Sequence, residues 1–369
     1  MLRKGSRTAI WLAVAALLVV NSVPAHALVL PELFVKLAGS HTLANPGIIL
    51  IDPANDQTIF SVGPDVGRAP ASVLKLISMA TVLNTFSPDQ TFKTSISETQ
   101  TPGTFMMKGE GDPWLTESPF EAHKYQRAFL PTLLNKVLAL HPDLTIITLE
   151  YENVYALDIR ALRRYFSGRL TIISEKVSST RDATTQLATI ESPALAKIIE
   201  FTLLYSDNVL ADRLARAAAQ NMGFATSAKG IQSAFAKTLS DLGISTAGLH
   251  VYDGNGLSNR NRVSVRQIAD LLVAIRTNSK FKVIVAGLPI AGKTGTLKTR
   301  FVVDAPKAVG LVQAKTGWIN TTVSLAGYVT VGAEQYVFAV VANHLHNLES
   351  ARSAARVTID QMLGAIAKP

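Results

Sequence analysis

The chain has 369 residues, of which 48% are hydrophobic and 17% charged. That is ordinary globular usage for one large or two modest domains and argues against wholesale disorder. There is no cysteine, which removes disulfide frameworks, zinc–thiolate and iron–sulfur centres, cysteine nucleophiles and a lipid-modified N-terminal cysteine together. The formal charge of +9 raises nucleic acid as a partner, but part of it sits in a leader-like segment. Arg3, Lys4 and Arg7 precede an apolar run from Ala9 to Val20, and Ala25-His26-Ala27 follows in a small-x-small pattern. This is the layout of a secretory signal peptide, and the run is too short for a firm membrane span. Without residues 1–27 the charge falls to +6, which describes a mildly basic exported protein suited to an anionic envelope surface and not to nucleic acid.

The elements follow in chain order. Ile48–Ile51 and Thr58–Phe60 flank a turn-rich Pro53–Asp56, which predicts a hairpin over Pro46–Val62. Ser72 to Leu83 is largely apolar at helical spacing and predicts a buried helix, with Pro70 and Ser72 suited to its start. Phe92–Ile96, Thr104–Lys108, Leu144–Leu149 and Leu170–Ile173 predict strands of a separate module. Within it Tyr125–Ala139 is helical, with Pro131 kinking the helix or moving its start. A helical run from Pro193 through Asn208–Ala219 and a helix over Val265–Ile275 come next. Strands are predicted at Val283–Ala286, Val309–Gln313, Thr322–Thr330 and Tyr336–Val341, and a terminal helix over Glu349–Ile366. Helices and strands mix without regular βαβ alternation, which indicates an α+β fold.

Three short motifs carry chemistry. In Ser72-Val73-Leu74-Lys75 the spacing of three places Ser72 and Lys75 on one helix face, about a turn apart. A serine hydroxyl becomes a useful nucleophile when a neighbour takes its proton, and a lysine does this once burial or a nearby cation has lowered its pKa. Ser206-Asp207-Asn208 offers a second hydroxyl and an amide that both donates and accepts. Lys315-Thr316-Gly317 follows a strand and offers a cation and a hydroxyl for a carboxylate, with glycine giving close access to the backbone. Taken singly, Ser72 is equally a helix cap and Lys75 a snorkelling lysine. The ordered trio in an exported chain is the informative observation.

With these residues in hand the chain resembles a serine penicillin-recognising enzyme, and within that group the class C low-molecular-mass penicillin-binding proteins, which are D-alanyl-D-alanine carboxypeptidase/endopeptidases. Gly109-Glu110-Gly111-Asp112-Pro113 is similar to the glycine-rich turn of that family's inserted module. Asp253-Gly254-Asn255-Gly256-Leu257-Ser258, followed by Asn261-Arg262-Val263, is similar to its Asp-Gly-Ser-Gly-Leu-Ser segment. The resemblance covers most of residues 46–345. It implies a β-lactamase/transpeptidase-like α+β domain, an antiparallel sheet flanked by helices, formed by residues 28–91 and 186–369. A smaller inserted α+β module over 92–185 and a signal peptide over 1–27 complete the organisation.

The resemblance also implies roles. Ser72 is the acylated nucleophile, Lys75 its base, and Ser206 the proton relay to the leaving amine. Asn208 orients the substrate amide, Lys315 and Thr316 bind the terminal carboxylate beside Gly317, and Lys315 helps keep Lys75 neutral. The backbone N–H groups of Ser72 and Trp318 form the oxyanion hole. Trp318 stands where the family usually has a small hydroxyl residue. Peptidoglycan stem peptides are the implied substrates and β-lactams the inhibitors. No metal or organic cofactor, no nucleic acid and at most peripheral membrane contact are expected, in the periplasm or cell envelope.

Other readings compete. A catalytically silent peptidoglycan- or β-lactam-binding protein shares the motifs. Gly287–Thr294 fits a phosphate-binding P-loop pattern after the expected strand Val283–Ala286 and contains a second Lys-Thr-Gly, Lys293-Thr294-Gly295. The sequence after it is a poor helix start, which argues against a P-loop, and Lys315 is taken as the functional lysine because Thr322–Val329 after it supplies a strand partner. A class A β-lactamase needs a deacylating glutamate between the second and third motifs, and no glutamate occurs between Glu200 and Glu334. His344-Leu345-His346 places two histidines on one face of a strand, read as ordinary polar positions and not as a zinc site. The terminal helix is read as packing on the sheet and not as lying on a membrane.

Overall fold

The computed structural model describes residues 28–178 and 183–369; the expected signal peptide lies outside these residues. The first elements are α1 (Glu32–Ala38), β1 (Asn45–Asp52), β2 (Gln57–Val62) and α2 (Lys75–Thr85). A second group follows with β3 (Lys93–Thr99), β4 (Thr104–Gly109), β5 (Leu115–Thr116), α3 (Pro119–Tyr125), β6 (Ala128–Phe129), α4 (Pro131–Leu140), β7 (Ile146–Glu152), α5 (Ala156–Tyr165), β8 (Thr171–Lys176) and β9 (Ala183–Glu191). The chain then forms α6 (Leu195–Tyr205), α7 (Asn208–Asn221), α8 (Ala228–Asp241), α9 (Val265–Arg276) and α10 (Lys282–Ala286). It ends with β10 (Val312–Ile319), β11 (Thr322–Val331), β12 (Glu334–Asn343) and α11 (Glu349–Ile366).

The first sheet has strand order β10-β11-β12-β1-β2 and is antiparallel throughout. Its strands alternate their side chains between two apolar layers. On one side Ile49, Ile51, Tyr328, Val337 and Ala339 pack against α2 and α6–α10. On the other Ile48, Leu50, Phe338 and Val340 pack against α1 and α11. Burial on both faces explains why β1 reads as an unbroken apolar run and not as an alternation. It also accounts for α11, which covers the sheet as expected. The molecule is therefore α+β, with an antiparallel sheet flanked by helices.

The elements from β3 to β9 form a second sheet of order β8-β7-β4-β3-β9 with its own apolar core. In it β4–β7 and β7–β8 are parallel, and β3–β4 and β3–β9 antiparallel. This sheet takes in the chain as far as Glu191, which pairs with Lys93, and so runs past the expected boundary at 185. Pro131 begins α4 and does not kink a longer helix.

Three local expectations are corrected. Val283–Ala286 belongs to helix α10, not a strand, and packs against α6 and α9. Lys315-Thr316-Gly317 lies in the middle of β10, which begins at Val312 and extends through Ile319. His344 and His346 follow the end of β12 in a loop, with His344 at φ 57°, so they do not share a strand face. Among the described residues no helix is long and apolar enough to cross a membrane.

Candidate active site

Helix α2 is the inner helix of the larger core, and every residue from Lys75 to Leu83 is buried. It is preceded by a 3-10 turn, Ala71–Leu74, that carries Ser72. Ala71, just before the serine, is held at φ 51°, a conformation costly for a residue with a Cβ and typical of functional turns. Ser72 is 7% exposed and Lys75 0%. The burial that makes α2 a core helix thus also strips Lys75 of water. Its ammonium pKa is pushed down to about 7 by burial, with Asp207 and Asp253 acting against the shift.

Lys75 Nζ has three neighbours: Ser72 Oγ at 2.8 Å, Asn208 Oδ1 at 2.8 Å and the main-chain oxygen of Asn255 at 2.7 Å. The amide oxygen and the carbonyl only accept. In the neutral amine they take up both N–H bonds, and the lone pair then faces the Ser72 hydroxyl, which alone among the three can donate. This arrangement suits the neutral amine to accept a proton from Ser72.

Ser206-Asp207-Asn208 breaks what the sequence presents as one helical run. Ser206 closes α6 in the left-handed conformation at φ 60°. Asp207 caps α7 by accepting the Leu210 N–H at 2.9 Å, and Asn208 is the first helical residue. This turn aims Ser206 and Asn208 at two different lysines. Asn208 meets Lys75, while Ser206 Oγ accepts from Lys315 Nζ at 2.9 Å.

Lys315 is fully buried and also donates to the Thr316 carbonyl at 2.9 Å. Burial, and then the charge of Lys75, hold it well below the ordinary lysine value. Burial is the first cause of the lowered pKa at both lysines. Thr316 Oγ1 lies 2.7 Å from Thr296 Oγ1. Gly317 is required by contact: a Cβ there would stand 2.1 Å from Ser324 Oγ and 3.0 Å from Pro70 O. Ser324 Oγ in turn donates to Pro70 O at 2.7 Å, fastening the sheet to the nucleophile turn.

β10 is an edge strand. Ala291 N–H bonds to Val312 O, and Ala314 N–H to Pro289 O, both at 2.9 Å, along its outer side. Among the described residues no main-chain bond continues along that side past Ala314. Backbone groups of alternate residues point the same way in a strand. The N–H groups of Thr316 and Trp318 therefore lie on the open edge with that of Ala314. Trp318 is 38% exposed, with the Arg352 guanidinium 5.5 Å from its ring centre.

The sequence reading noted the Asp253–Ser258 segment but gave its residues no place in the site. Asp253 accepts from the N–H groups of Gly256 at 2.8 Å and Ser258 at 2.6 Å, and from Asn261 Nδ2 at 3.0 Å. Asp212 on α7 accepts the Gly254 N–H at 2.9 Å, and Ser78 on α2 donates to the Gly254 carbonyl at 2.6 Å. These bonds present the Asn255 carbonyl to Lys75. Gly256, at φ 86°, passes so close that a Cβ would stand 1.9 Å from Ala71 O. The Asp-Gly-Asn-Gly motif signals a turn, but its partner on α2 lies 180 residues away in sequence, and no local pattern reports that.

The P-loop reading fails on the structure. Its preceding segment is helix α10, and only a three-residue 3-10 turn, Gly295–Leu297, follows it. Lys293 is exposed and lies over Gly310. Lys315, by contrast, sits in the cluster with Ser206.

A serine whose hydroxyl meets a buried lysine lies next to an open strand edge bearing a second lysine, on a β-lactamase/transpeptidase-like fold. The chain belongs to the D-Ala-D-Ala carboxypeptidase 3 (S13) family, whose model matches residues 164–366. Carboxypeptidase DacB of Mycolicibacterium smegmatis is 27% identical over 360 residues, covering 82% of this chain and 78% of that protein. The D-alanyl-D-alanine carboxypeptidase of Actinomadura sp. is 33% identical over 162 residues, covering 42% of this chain and 30% of that protein. Among solved structures, penicillin binding protein 4 (dacB) from Haemophilus influenzae, complexed with a β-lactam, superposes with a TM-score of 0.71. The identity is 20%, and the match covers 89% of this chain and 97% of that one.

Proposed function

We propose that this protein is an exported serine-type D-Ala-D-Ala carboxypeptidase and endopeptidase. It acts on peptidoglycan stem peptides through an acyl-enzyme on Ser72 and is inhibited by penicillins. The observation that carries this reading is the 2.8 Å contact between Ser72 Oγ and a buried Lys75 Nζ whose pKa lies at about 7. At that value a useful fraction of the amine is neutral near neutral pH, which a general base requires.

The substrate's C-terminal strand adds to the open edge of β10. Its terminal carboxylate meets Lys315 and Thr316, and the incoming negative charge supplies the counter-ion that burial denies Lys315. Neutral Lys75 takes the Ser72 proton as Oγ attacks the penultimate D-Ala carbonyl. The backbone N–H groups of Ser72 and Trp318 stabilise the oxyanion. Ser206, held by Lys315, relays a proton to the leaving amine of D-alanine. Water, activated by the same lysine, then releases the acyl group. Asn208 gives its Oδ1 to Lys75, which leaves its NH₂ free for a substrate carbonyl. A D-Ala–meso-diaminopimelate cross-link presents the same carbonyl, so endopeptidase cleavage uses the same groups. The leader-like segment supports a location in the periplasm or envelope.

The test is release of D-alanine from a synthetic peptide ending in D-Ala-D-Ala. Release by the wild type and its loss in Ser72→Ala are expected. Penicillin labelling without D-alanine release would favour a non-hydrolytic binding protein.

A further inference from the structure

The inserted module carries a basic surface that the chemistry at Ser72 does not use. Between residues 93 and 191 there are 11 basic and 12 acidic residues, so the module as a whole is close to neutral. Yet four of its arginines, Arg160, Arg163, Arg164 and Arg169, fall within ten consecutive residues, and all four are exposed. The first three lie on α5 at spacings of three and four, which stacks them on one helix face.

The inner face of α5 is already occupied. Ile159 and Leu162 enter the module's core, and Asp158 pairs with Arg213 of α7 at 2.5 Å. The arginine face therefore has no structural use in holding the helix down. Its only ion pair among the described residues joins Arg164 to Glu117 at 3.4 Å, with the arginine side chain 76% exposed. Such a pair contributes little. Arg169 is braced differently, with its guanidinium 5.4 Å from the ring centre of Tyr165 and 4.9 Å from that of Phe166. Stacking of this kind fixes the plane of the guanidinium, and one of its N–H groups donates to the Tyr165 carbonyl at 3.5 Å.

The surface between these arginines is concave. A depression of about 370 Å³ is lined by Arg160, Arg163, Arg164, Ser167, Gly168 and Thr171. Gly168, at φ 81°, has no atom within 4 Å of the place a Cβ would take, which keeps the floor open. The cluster thus combines convergent planar cations, hydroxyls and an open backbone turn. Arginine forks match the oxygens of phosphate groups in two-point hydrogen bonds, and three cations along one helix face suit a ligand with repeated charges better than a single anion.

We propose that the α5 face of the inserted module is a docking surface for a phosphate-bearing linear polymer, with Arg160, Arg163 and Arg164 as its contacts and Arg169 as a braced fourth. The partner fits by charge complementarity, and it would hold the enzyme on an anionic polymer independently of the chemistry at Ser72.

The experiment uses residues 28–369 and long-chain inorganic polyphosphate as the probe, with inorganic phosphate and phosphatidylglycerol vesicles in parallel. The expected result is polyphosphate binding that weakens with salt along a log–log slope of about −2. It should fall about tenfold or more in the Arg160→Glu/Arg163→Glu/Arg164→Glu variant. Penicillin labelling of that variant should be unchanged, which shows that it is folded. The control variant Lys298→Glu/Lys307→Glu, altering two exposed lysines outside the module, should bind like the wild type. Absence of polyphosphate binding would overturn the proposal, as would equal loss in both variants. Binding to inorganic phosphate as tight as to the polymer would also overturn it, as would binding to the vesicles alone.

Discussion

Lys75 Nζ donates to the main-chain oxygen of Asn255 at 2.7 Å. This bond joins α2 to a loop far along the chain and helps set which way the lysine's lone pair faces. Gly256 sets the distance, since a Cβ there would collide with Ala71 O. Gly256→Ala is predicted to shift the Asn255 carbonyl and cut the rate of acylation by ~100-fold, because a displacement near 1 Å at a reacting pair has effects of that size. Stopped-flow acylation by a chromogenic cephalosporin measures it. A near-normal rate would show that Asn255 does not hold Lys75.

The pH dependence follows from the lowered pKa of Lys75. Its folded value of about 7 lies below the ordinary 10.5, with burial as the main cause. Below about 7 the amine is protonated and cannot accept the Ser72 proton. The acylation rate constant should therefore rise with pH through about 7 and level above it. Over the range between the two values the unfolded chain holds a proton that the folded chain has lost, so this residue makes stability rise with pH there. A rate profile flat from pH 5 to 9 would contradict the assignment.

The two Lys-Thr-Gly sequences are separated by substitution. Lys315 is buried against Ser206, whereas Lys293 is exposed. Lys315→Ala is predicted to lower kcat/KM for a D-Ala-D-Ala peptide by ~100-fold or more, the loss typical of a buried charge-assisted contact. Lys293→Ala should leave it within about twofold. Steady-state kinetics of both variants gives the order directly, and the reverse order would refute the assignment.

Arg213 of α7 links that helix to the elements between β4 and α5. It pairs with Asp158, donates to Pro113 O at 3.3 Å and sits 4.2 Å from the Tyr155 ring centre. Asp158 Oδ2 and Asp112 Oδ2 are buried without a partner, and burial pushes the Asp112 carboxyl up to about 7. Arg213→Ala leaves Asp158 charged and unpaired, and should destabilise the protein by about 3–5 kcal/mol. Asp112→Asn removes the cost of ionising a buried acid. It should stabilise the protein most above pH 7 and least below pH 3.8, because between those values the unfolded carboxyl is ionised while the folded one still holds its proton. Denaturant titrations at the two pH values measure both effects.

Much of this was legible in the sequence, and the limits have physical reasons. The trio of motifs and the hairpin of β1 and β2 rest on local spacing, and so do the bounds of α11. Val283–Ala286 misleads because three β-branched residues in a short apolar run suit a strand or a buried helix equally. The break at Ser206 is invisible because the left-handed turn falls on a serine and not on a glycine. Thr296, Ser324 and Asn255 reach the site only through tertiary packing. The module's arginine face shows as composition, but its exposure does not.

The central claim is that Ser72 forms an acyl-enzyme. Benzylpenicillin incubated with residues 28–369, followed by proteolysis and peptide mass mapping, tests this most directly. The account predicts one penicilloyl adduct, on the peptide containing Ser72, absent in Ser72→Ala. An adduct on any other residue, or labelling that survives in Ser72→Ala, would contradict it.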